Sequence, residues 1–330
     1  MKSRLLLSLP AIAITVSSAS AADQVRWLND WLPAGDAAPI YYGVASGIFA
    51  DAGIDLTIET ARGSSEVVTR LATGSADFGF AGIAALMQAR VEGDVPVTAV
   101  MSIFNTPPDA IVTVEGSGIE TFVDLPGKTI ATAAFSSSNV IWPLVLELNG
   151  LNETDIELQK VDPGALGPML ATGQVDGTIS WLPTAVGFEG AQTEAGKTIK
   201  LLPWSEFGFE SYGASVIASD ALIAENPELV TRFVGAYKAS VEAAAADPEA
   251  AVAALKQAVP EVDAELGVKQ LTAALSLIIN ERSAVDGLGS YDPDRLASTW
   301  ALVSKAQGLA EDALDPETVV DRSFVAAASE

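Results

Sequence analysis

Short apolar runs alternate with amphipathic stretches along the first part of the chain. Four runs have the length and residue types of β-strands, and they lie at 25–29, 54–60, 77–82 and 95–103. Helical patterns separate them, at about 38–50, 64–73 and 83–92. Because strands that alternate with helices form parallel-rich sheets with helices on their faces, the pattern predicts an α/β fold.

The same alternation recurs further along the chain. Strand-like runs lie at 128–134, 156–161, 177–181 and 198–203, with helical stretches at about 137–149 and 164–172. Two segments also echo each other, since "LATGSADFGFAGI" begins at Leu71 and "LATGQVDGTISWL" at Leu170. Each predicts a helix end, a glycine cap, an aspartate and a strand. The echo predicts two similar α/β lobes.

The last third of the chain has only helical patterns. Apolar residues fall four apart between 228 and 247, and further helices are predicted at about 249–258, 263–280, 293–308 and 316–322, with prolines between them. The apolar faces of these helices must pack against a sheet, and we expect them to cover the sheet of lobe one. The chain then crosses between the lobes twice, near 104–116 and 207–216, and two crossings predict a hinge.

The predicted domains follow from these crossings. Lobe one comprises 23–106 and 214–330, and lobe two comprises 107–213. Residues 1–22 have a basic start, an apolar run and small residues before a cleavage position, which predicts a secretory signal peptide cut near Ala21 or Ala22. We therefore expect export to the periplasm. The absence of cysteine excludes a lipid anchor on cysteine and any disulfide.

Charge and composition narrow the function. The net charge is −25 and becomes more negative without Lys2 and Arg4, which argues against nucleic-acid binding and against anionic membrane surfaces. Without histidine or cysteine the chain cannot form a Ser-His-Asp triad, a Cys-His pair, an HExxH zinc site or a thiol redox centre. The composition still allows four possibilities: a carboxylate pair, a Ser-Lys pair, a Schiff-base lysine such as Lys128, or ligand binding without a chemical reaction. We favour binding, with no cofactor and no metal, by a monomer.

The carboxyl ends of parallel strands locate the candidate site, because ligands of such sheets bind beyond those ends. In lobe one these ends are 30–36, 63–65 and 82–84, and in lobe two they are 135–139, 162–164 and 181–183. Two such edges that face each other form a cleft. The predicted ligand contacts are Trp31, Asp36, Tyr41, Gly63, Ser64, Ser65, Gly82, Ile83, Ser136, Ser137, Asn139, Trp181, Pro183 and Tyr212.

Each of these residues also has a structural alternative. Trp31 and Trp181 offer flat stacking faces from opposite lobes, but either could fill an apolar gap. The serines at 64–65 and 136–138 suit helix caps, and helix N-termini aimed into a cleft also donate N–H groups to a ligand. Trp27, Trp142 and Trp300 lie within predicted elements and are expected in the core.

Acidic residues outnumber basic ones in the predicted loops. Asp30, Asp36, Asp162, Glu206 and Glu210 lie there, with Arg62 as the exception. Each alone suits a solvated or capping position, but together they favour a ligand that carries amino or cationic donors. The sequence thus favours a planar, amine-bearing ligand over a sulfonate or nitrate.

Several motifs together resemble a known family. "DWLP" with "APIYYGVASGIFADAGIDL", "LATGSADFG", "DLPGKTI", "LATGQVDG" and "DRSFV" are similar to the NMT1/THI5-like substrate-binding proteins of ABC importers, which include nitrate, sulfonate and taurine binders. The resemblance covers nearly all of the mature chain. It implies a two-lobe periplasmic-binding-protein fold of type II, which closes on one small molecule and delivers it to an inner-membrane ABC permease. Thiamine-precursor pyrimidines are the ligands that it suggests.

One departure from the family pattern bears on activity. Enzymes of this group consume a histidine of their own in a segment that often reads "DWxPNxxH", and alignment from Asp30 and Trp31 puts that histidine at Ala37. The pattern's asparagines align near Ala34 and Asp36. The departure argues against the enzymatic role. A pyrimidine-processing enzyme and a periplasmic sensor partner remain as other classes.

Overall fold

A computed structural model describes residues 21–328, so the expected signal peptide lies outside the described residues except for its last two. The described part of the chain contains ten strands: β1 (Asp23–Asn29), β2 (Ile54–Thr60), β3 (Phe78–Gly82), β4 (Val97–Ser102), β5 (Asp109–Val114), β6 (Thr129–Ala133), β7 (Glu157–Val161), β8 (Gly177–Trp181), β9 (Ile199–Pro203) and β10 (Ala214–Ser219).

Fifteen α-helices accompany the strands within residues 21–328. They are α1 (Ala38–Ala45), α2 (Ile48–Asp51), α3 (Ser64–Ala72), α4 (Ile83–Glu92), α5 (Ser138–Leu148), α6 (Leu166–Thr172), α7 (Leu182–Val186), α8 (Glu189–Glu194), α9 (Asp220–Glu225), α10 (Pro227–Ala246), α11 (Pro248–Ala258), α12 (Ala264–Ile278), α13 (Glu281–Asp286), α14 (Pro293–Ala306) and α15 (Ser323–Ala327). None of them is long and apolar enough to cross a membrane.

The strands form two separate five-stranded sheets. The first has the order β2-β1-β3-β10-β4 and the second β7-β6-β8-β5-β9. In each sheet three neighbouring strands are parallel, and β10 or β5 runs antiparallel to both of its neighbours. We call the first sheet with its helices lobe one and the second lobe two. The predicted architecture of two parallel-rich, helix-flanked sheets is confirmed.

The echoed segments occupy corresponding places in the two sheets. Gly74 and Gly173 end their helices with left-handed φ values of 72° and 73°, a conformation that glycine adopts without strain. The following Asp77 and Asp176 carboxylates accept backbone hydrogen bonds from β1 and β6, at 2.8 and 2.9 Å. The strands that follow, β3 and β8, are both central. The sequence echo therefore corresponds to a structural repeat.

Two strands were not predicted, and both follow a crossing between the sheets. The segments 104–116 and 207–216 were predicted as crossings, but β5 covers 109–114 and β10 begins at Ala214, so the connections between the sheets are 103–108 and 208–213. Five of the six residues in each strand are buried. A strand buried on both faces has no polar alternation, so its sequence lacks the pattern on which the prediction relied.

Two of the predicted helices differ clearly from the observed ones, and α7, α8, α9, α13 and α15 were not predicted. The helix predicted at 38–50 is interrupted at Gly47, whose φ of 85° separates α1 from α2. The helix predicted at 316–322 is wrong, since a short 3-10 turn covers Pro316–Val319 and Val320 then pairs with Ala99 of β4. In both places the backbone leaves helical geometry and no continuous helix can form.

The helical tail covers lobe one, as predicted. Phe233 of α10 stacks on Phe78 of β3, with ring centroids 3.9 Å apart, and Trp27 of β1 packs beside it. Trp27, Trp142 and Trp300 are at most 3% exposed, so their predicted place in the core is confirmed.

The tail also reaches lobe two, which the sequence did not indicate. Lys305 of α14 pairs with Glu147 of α5 at 3.1 Å. The side chain of Gln270 on α12 accepts a hydrogen bond from Gly35 N–H at 3.0 Å and lies against Gly187, which follows α7. The tail therefore holds the turn at Gly35–Ala37, which carries Asp36, beside lobe two.

Candidate ligand-binding cleft

The carboxyl ends of the two sheets meet at a closely packed contact, which we call the interlobe seam. Ser65 N–H of lobe one donates to Phe135 O of lobe two at 3.1 Å. A Cβ atom on Gly63 would lie 2.4 Å from the Phe135 carbonyl, and one on Gly82 would lie 2.2 Å from Ser137 Oγ. No real Cβ atom tolerates such distances, so the structure is that of a closed molecule.

Two adjoining pockets lie beside the seam. The first is lined by Asp30, Trp31, Gly63, Ser64, Ser136, Ile179, Ser180, Trp181 and Thr184. The second is lined by Trp27, Asn29, Asp30, Trp31, Leu32, Asp36, Ala37, Ile40, Phe80 and Tyr237. In this closed form their cavity volumes are about 10 and 20 Å³, room for about one water molecule each. Asp30 and Trp31 are common to both, and the first pocket is walled by both lobes.

The two tryptophans cross the seam in opposite directions. Trp31 belongs to lobe one and packs against an apolar cluster of lobe two that includes Leu166 and Ala185. Trp181 belongs to lobe two and packs against the core of lobe one, with its ring edge-on to Phe80 and Phe104 at 6.1 and 5.7 Å. Both rings remain half-buried where they line the first pocket.

Asp30 is the buried carboxyl shared by the two pockets. It directly follows β1, and only 5% of it is exposed. Ser64 Oγ donates to Asp30 Oδ2 at 2.9 Å and itself accepts from Gly82 N–H at 2.9 Å. Burial, with a smaller contribution from the charge of Asp36, raises the pKa of Asp30 to about 8 against the lowering effect of the Ser64 hydrogen bond.

The predicted capping role is wrong for Ser64 and Ser137, whereas Ser136 Oγ accepts a hydrogen bond from the N–H of Ser138, the first residue of α5, at 3.2 Å. Gly63 precedes α3 and no side chain caps that helix, because Ser64 is committed to Asp30. Ser137 precedes α5, likewise without a side-chain cap, and Ser138 Oγ donates to Asp109 instead. In each lobe, then, a serine in the first turn of a helix binds a buried aspartate.

Asp109 fixes the orientation of Trp181. Its Oδ1 accepts from Ser138 Oγ at 2.5 Å and from Trp181 Nε1 at 3.1 Å. Burial raises the pKa of Asp109 to about 6, against the lowering effect of these two hydrogen bonds. Burial also raises the pKa of Asp36 to about 6. Three carboxyls with raised pKa values therefore surround the cleft.

Cationic side chains are absent from the linings of these two pockets. Arg62 lies at the seam, where its guanidinium is 4.9 Å from the centroid of the Phe135 ring and pairs with Glu66 at 2.9 Å. The charge of an anionic ligand would not be neutralised by a cationic side chain of these linings, whereas the N–H groups of a ligand could donate to their carboxyl oxygens.

Several predicted residues lie at the seam or within the core rather than in a pocket lining. Ser65, Gly82 and Ser137 form the seam. Ile83 is fully buried, and its N–H donates to Gly213 O at 2.8 Å. Pro183 is buried at the start of α7, and its neighbour Thr184 lines the first pocket instead.

Three further predicted residues have their polar or aromatic groups engaged elsewhere. The Asn139 amide accepts from Thr132 Oγ1 and donates to Ala133 O, both at 2.9 Å. Tyr41 packs against the apolar clusters under α1. The Tyr212 hydroxyl accepts from the backbone N–H of Asp292 at 2.7 Å, beside the second crossing.

Sequence reasoning left several lining residues out of the predicted set. They are Trp27, Asn29, Asp30, Leu32, Ala37, Ile40, Phe80, Ile179, Ser180, Thr184 and Tyr237. Asp30 had a usable signal, because it is the first polar residue after an apolar strand. Asp109 had none, since it opens a strand that was not predicted.

Solved structures with a similar fold include an alkanesulfonate-binding protein. The alkanesulfonate-binding protein SsuA from Xanthomonas axonopodis pv. citri, bound to MOPS, matches with a TM-score of 0.71 and 18% identity over 92% of this chain and 100% of that one. The Candida albicans CA3427 product, described as having the generic periplasmic binding protein fold, matches with a TM-score of 0.68 and 13% identity over 91% and 96%. The chain thus has the periplasmic-binding-protein fold.

Sequence relatives include a binding protein and an enzyme. Riboflavin-binding protein RibY of Chloroflexus aurantiacus is 28% identical over 96% of this chain and 91% of its own length. The 4-amino-5-hydroxymethyl-2-methylpyrimidine phosphate synthase THI5 of Saccharomyces cerevisiae is 24% identical over 75% of each chain. The model of the NMT1/THI5-like family matches residues 34–251, well over half of the sequence. The chain therefore belongs to the NMT1/THI5-like family.

Proposed function

We propose that this protein is the extracytoplasmic solute-binding component of an ABC importer. Its ligand is a small planar, amine-bearing molecule that resembles a thiamine-precursor pyrimidine, held in the cleft between the lobes. One observation carries the proposal: Asp30, a buried carboxyl without a cationic partner among the described residues, lies in a pocket walled by two tryptophans from opposite lobes. Aromatic faces suit a planar ring, and the carboxyl suits its N–H groups.

The proposal extends to the location and the mechanics of the protein. We propose that it is a periplasmic monomer and that it delivers its ligand to an inner-membrane permease. Lobe one would comprise 23–106 and 214–330, and lobe two 107–213, with the hinge in the connections at 103–108 and 208–213. Ligand binding would then drive closure rather than bond-making.

A sulfonate, taurine or nitrate ligand is the alternative within the same role. The SsuA structures resemble this chain at 20% identity or less, which is a likeness of fold. Such anions need several fixed donors, and the two pockets are lined by aspartates instead. The lining therefore favours the amine-bearing class.

An enzyme is the alternative from another class, because the family includes pyrimidine phosphate synthases. The family's enzymes are expected to consume a histidine of their own, and this sequence has none. Ala37 stands at the aligned position and lines the second pocket. Binding without turnover is therefore the better-supported function.

Ligand-induced closure tests the proposal. Small molecules released from protein purified without refolding are identified by mass spectrometry. Thermal shift and solution scattering then compare aminopyrimidines, riboflavin, taurine, an alkanesulfonate and nitrate. We expect a nitrogen heterocycle to raise the melting temperature and to reduce the radius of gyration, with no product formed. Stabilisation by the anions alone would reject the ligand class, and catalytic turnover would reject the binding role.

A further inference from the structure

The direction of two hydrogen bonds determines what Asp30 presents to a ligand. Ser64 Oγ accepts from Gly82 N–H and donates its own proton to Asp30 Oδ2. Oδ2 is therefore an acceptor that is already in use, and Oδ1 is left for the pockets that Asp30 lines. A proton bound to Asp30 sits on Oδ1, so this oxygen is an O–H donor in the acid and an acceptor in the carboxylate.

Ser180 supplies an independent sign that a polar group is missing from the first pocket. It lies on β8 of lobe two, it is 4% exposed, and its Oγ has no hydrogen-bond partner among the described residues. Buried hydroxyl groups in native proteins are almost always hydrogen-bonded, so this one calls for a partner. Ser180 and Asp30 line the same pocket from opposite lobes.

We propose that Asp30 and Ser180 together recognise the edge of a neutral nitrogen heterocycle, in which an N–H donor stands next to a ring-nitrogen or carbonyl acceptor. Asp30 gives its Oδ1 proton to the ligand's acceptor, while Ser180 Oγ accepts from the ligand's N–H. The bound edge then joins the two lobes. This inference rests on the proposed binding function and names the ligand class for the same site.

The ligand chemistry of the relatives has this edge in common. The imide of riboflavin has an N–H between two carbonyl groups, and an aminopyrimidine has an amino group beside a ring nitrogen. Both are neutral near pH 7 and both are planar, as the Trp31 and Trp181 walls require. A sulfonate lacks the donor, and an alkylammonium lacks the acceptor.

The charge state of Asp30 gives the proposal a measurable consequence. Within the two pocket linings the other titratable groups are Asp36, from the turn before α1, and Tyr237, from α10. Burial raises the pKa of Tyr237, so it stays neutral, and Asp36 with a pKa of about 6 is already charged above pH 7. Between pH 6.5 and 9.5 the titrating group of the site is Asp30, with a pKa of about 8.

The test measures riboflavin affinity from pH 6.5 to 9.5 by fluorescence titration. We expect the affinity of the native protein to fall as the pH rises across this range, and to fall about tenfold per pH unit well above pH 8, as the donor proton is lost. Asp30→Asn should remove this slope, because an amide keeps a donor in place and does not titrate. Any pH dependence of affinity that remains in the Asp30→Asn variant measures the titration of riboflavin itself.

One control variant, one Ser180 variant and one modified ligand test the separate parts of the proposal. Asp162→Asn changes an exposed acid near the cleft and should keep the native slope. Ser180→Ala, which removes only a hydroxyl group, should lower the affinity for riboflavin at least tenfold. Riboflavin methylated at the imide nitrogen should also bind the native protein at least tenfold more weakly.

Three results would overturn the inference. The first is an affinity that rises or stays flat through pH 9.5, and the second is an Asp30→Asn slope equal to the native one. In either case riboflavin binding with compaction would leave the binding function standing. The third is a native protein that binds neither riboflavin nor aminopyrimidines but closes on taurine, which would remove both the ligand class and this inference.

Discussion

Trp31 and Trp181 each belong to one lobe and pack into the other. Trp181 is held by its hydrogen bond to Asp109, while Trp31 packs against the apolar cluster of lobe two. A flat ring placed between them would gain dispersion contacts from both lobes at once. Each tryptophan should therefore contribute to ligand affinity and to closure together.

Substitution of Trp31 separates stacking from simple filling of space. Trp31→Leu keeps an apolar side chain without a flat face, and we expect it to lower the affinity for the planar ligand by roughly tenfold or more, since aromatic pairs contribute about 0.5–1.5 kcal/mol beyond area burial. Trp31→Phe should lose only a few-fold. Isothermal titration measures both. Equal losses in the two variants would show that Trp31 fills a gap and does not stack.

Gly82 ends β3 and directly precedes α4, so a single position joins a strand, a helix and the seam. Its φ of −63° is ordinary for any residue, which means that backbone strain does not explain glycine here. The close approach of Ser137 does explain it. Closure thus depends on the absence of a side chain at the end of one strand.

Gly82→Ala is therefore expected to hold the lobes apart without unfolding lobe one. A Cβ atom would lie 2.2 Å from Ser137 Oγ and 2.6 Å from Ser137 Cβ, and a rotamer change relieves only the first contact. We expect at least a tenfold loss of ligand affinity and no ligand-induced decrease in the radius of gyration, measured by scattering.

Two companion variants complete this experiment. Gly93→Ala at the other end of α4 meets nothing within 4 Å and should behave as native. Gly82→Ala with Ser137→Gly should regain closure, because the second change removes the atoms that clash. Native-like compaction of the single Gly82→Ala variant would show that the seam can part without loss of function.

Prediction from sequence succeeded where periodicity was present and failed where it was not. The parallel strands and the long tail helices carry clear patterns, and the echo at Leu71 and Leu170 identified two lobes. The antiparallel β5 and β10 are buried on both faces and follow crossings, so neither alternation nor order in the chain revealed them. The sequence predicts a capping role for Ser64 because it lies at the start of a helix. Its actual partner, Asp30, is distant in sequence, so local patterns could not reveal the hydrogen bond.

At the scale of the whole molecule, closure and protonation are coupled. Asp30, Asp36 and Asp109 surround the cleft, and burial raises their pKa values to about 8, 6 and 6. Opening of the lobes would hydrate these carboxyls and return their pKa values towards about 4. The closed form therefore binds more protons than the open form between about pH 4 and pH 8, and it gains stability as the pH falls.

The ligand-free protein should accordingly become more compact as the pH falls from 8 to 5.5. Uptake of one to two protons by the closed form stabilises it by about 4 to 5 kcal/mol over this interval, enough to change the populations seen by solution scattering. General loss of repulsion in a chain of net charge −25 would act in the same direction, so the control is a matched change of charge. A variant with Asp30, Asp36 and Asp109 changed to Asn should lose the pH response, whereas Asn at the exposed Asp51, Asp94 and Asp162 should keep it. If both triple variants respond as the native protein does, repulsion accounts for the compaction and the three cleft carboxyls do not control closure.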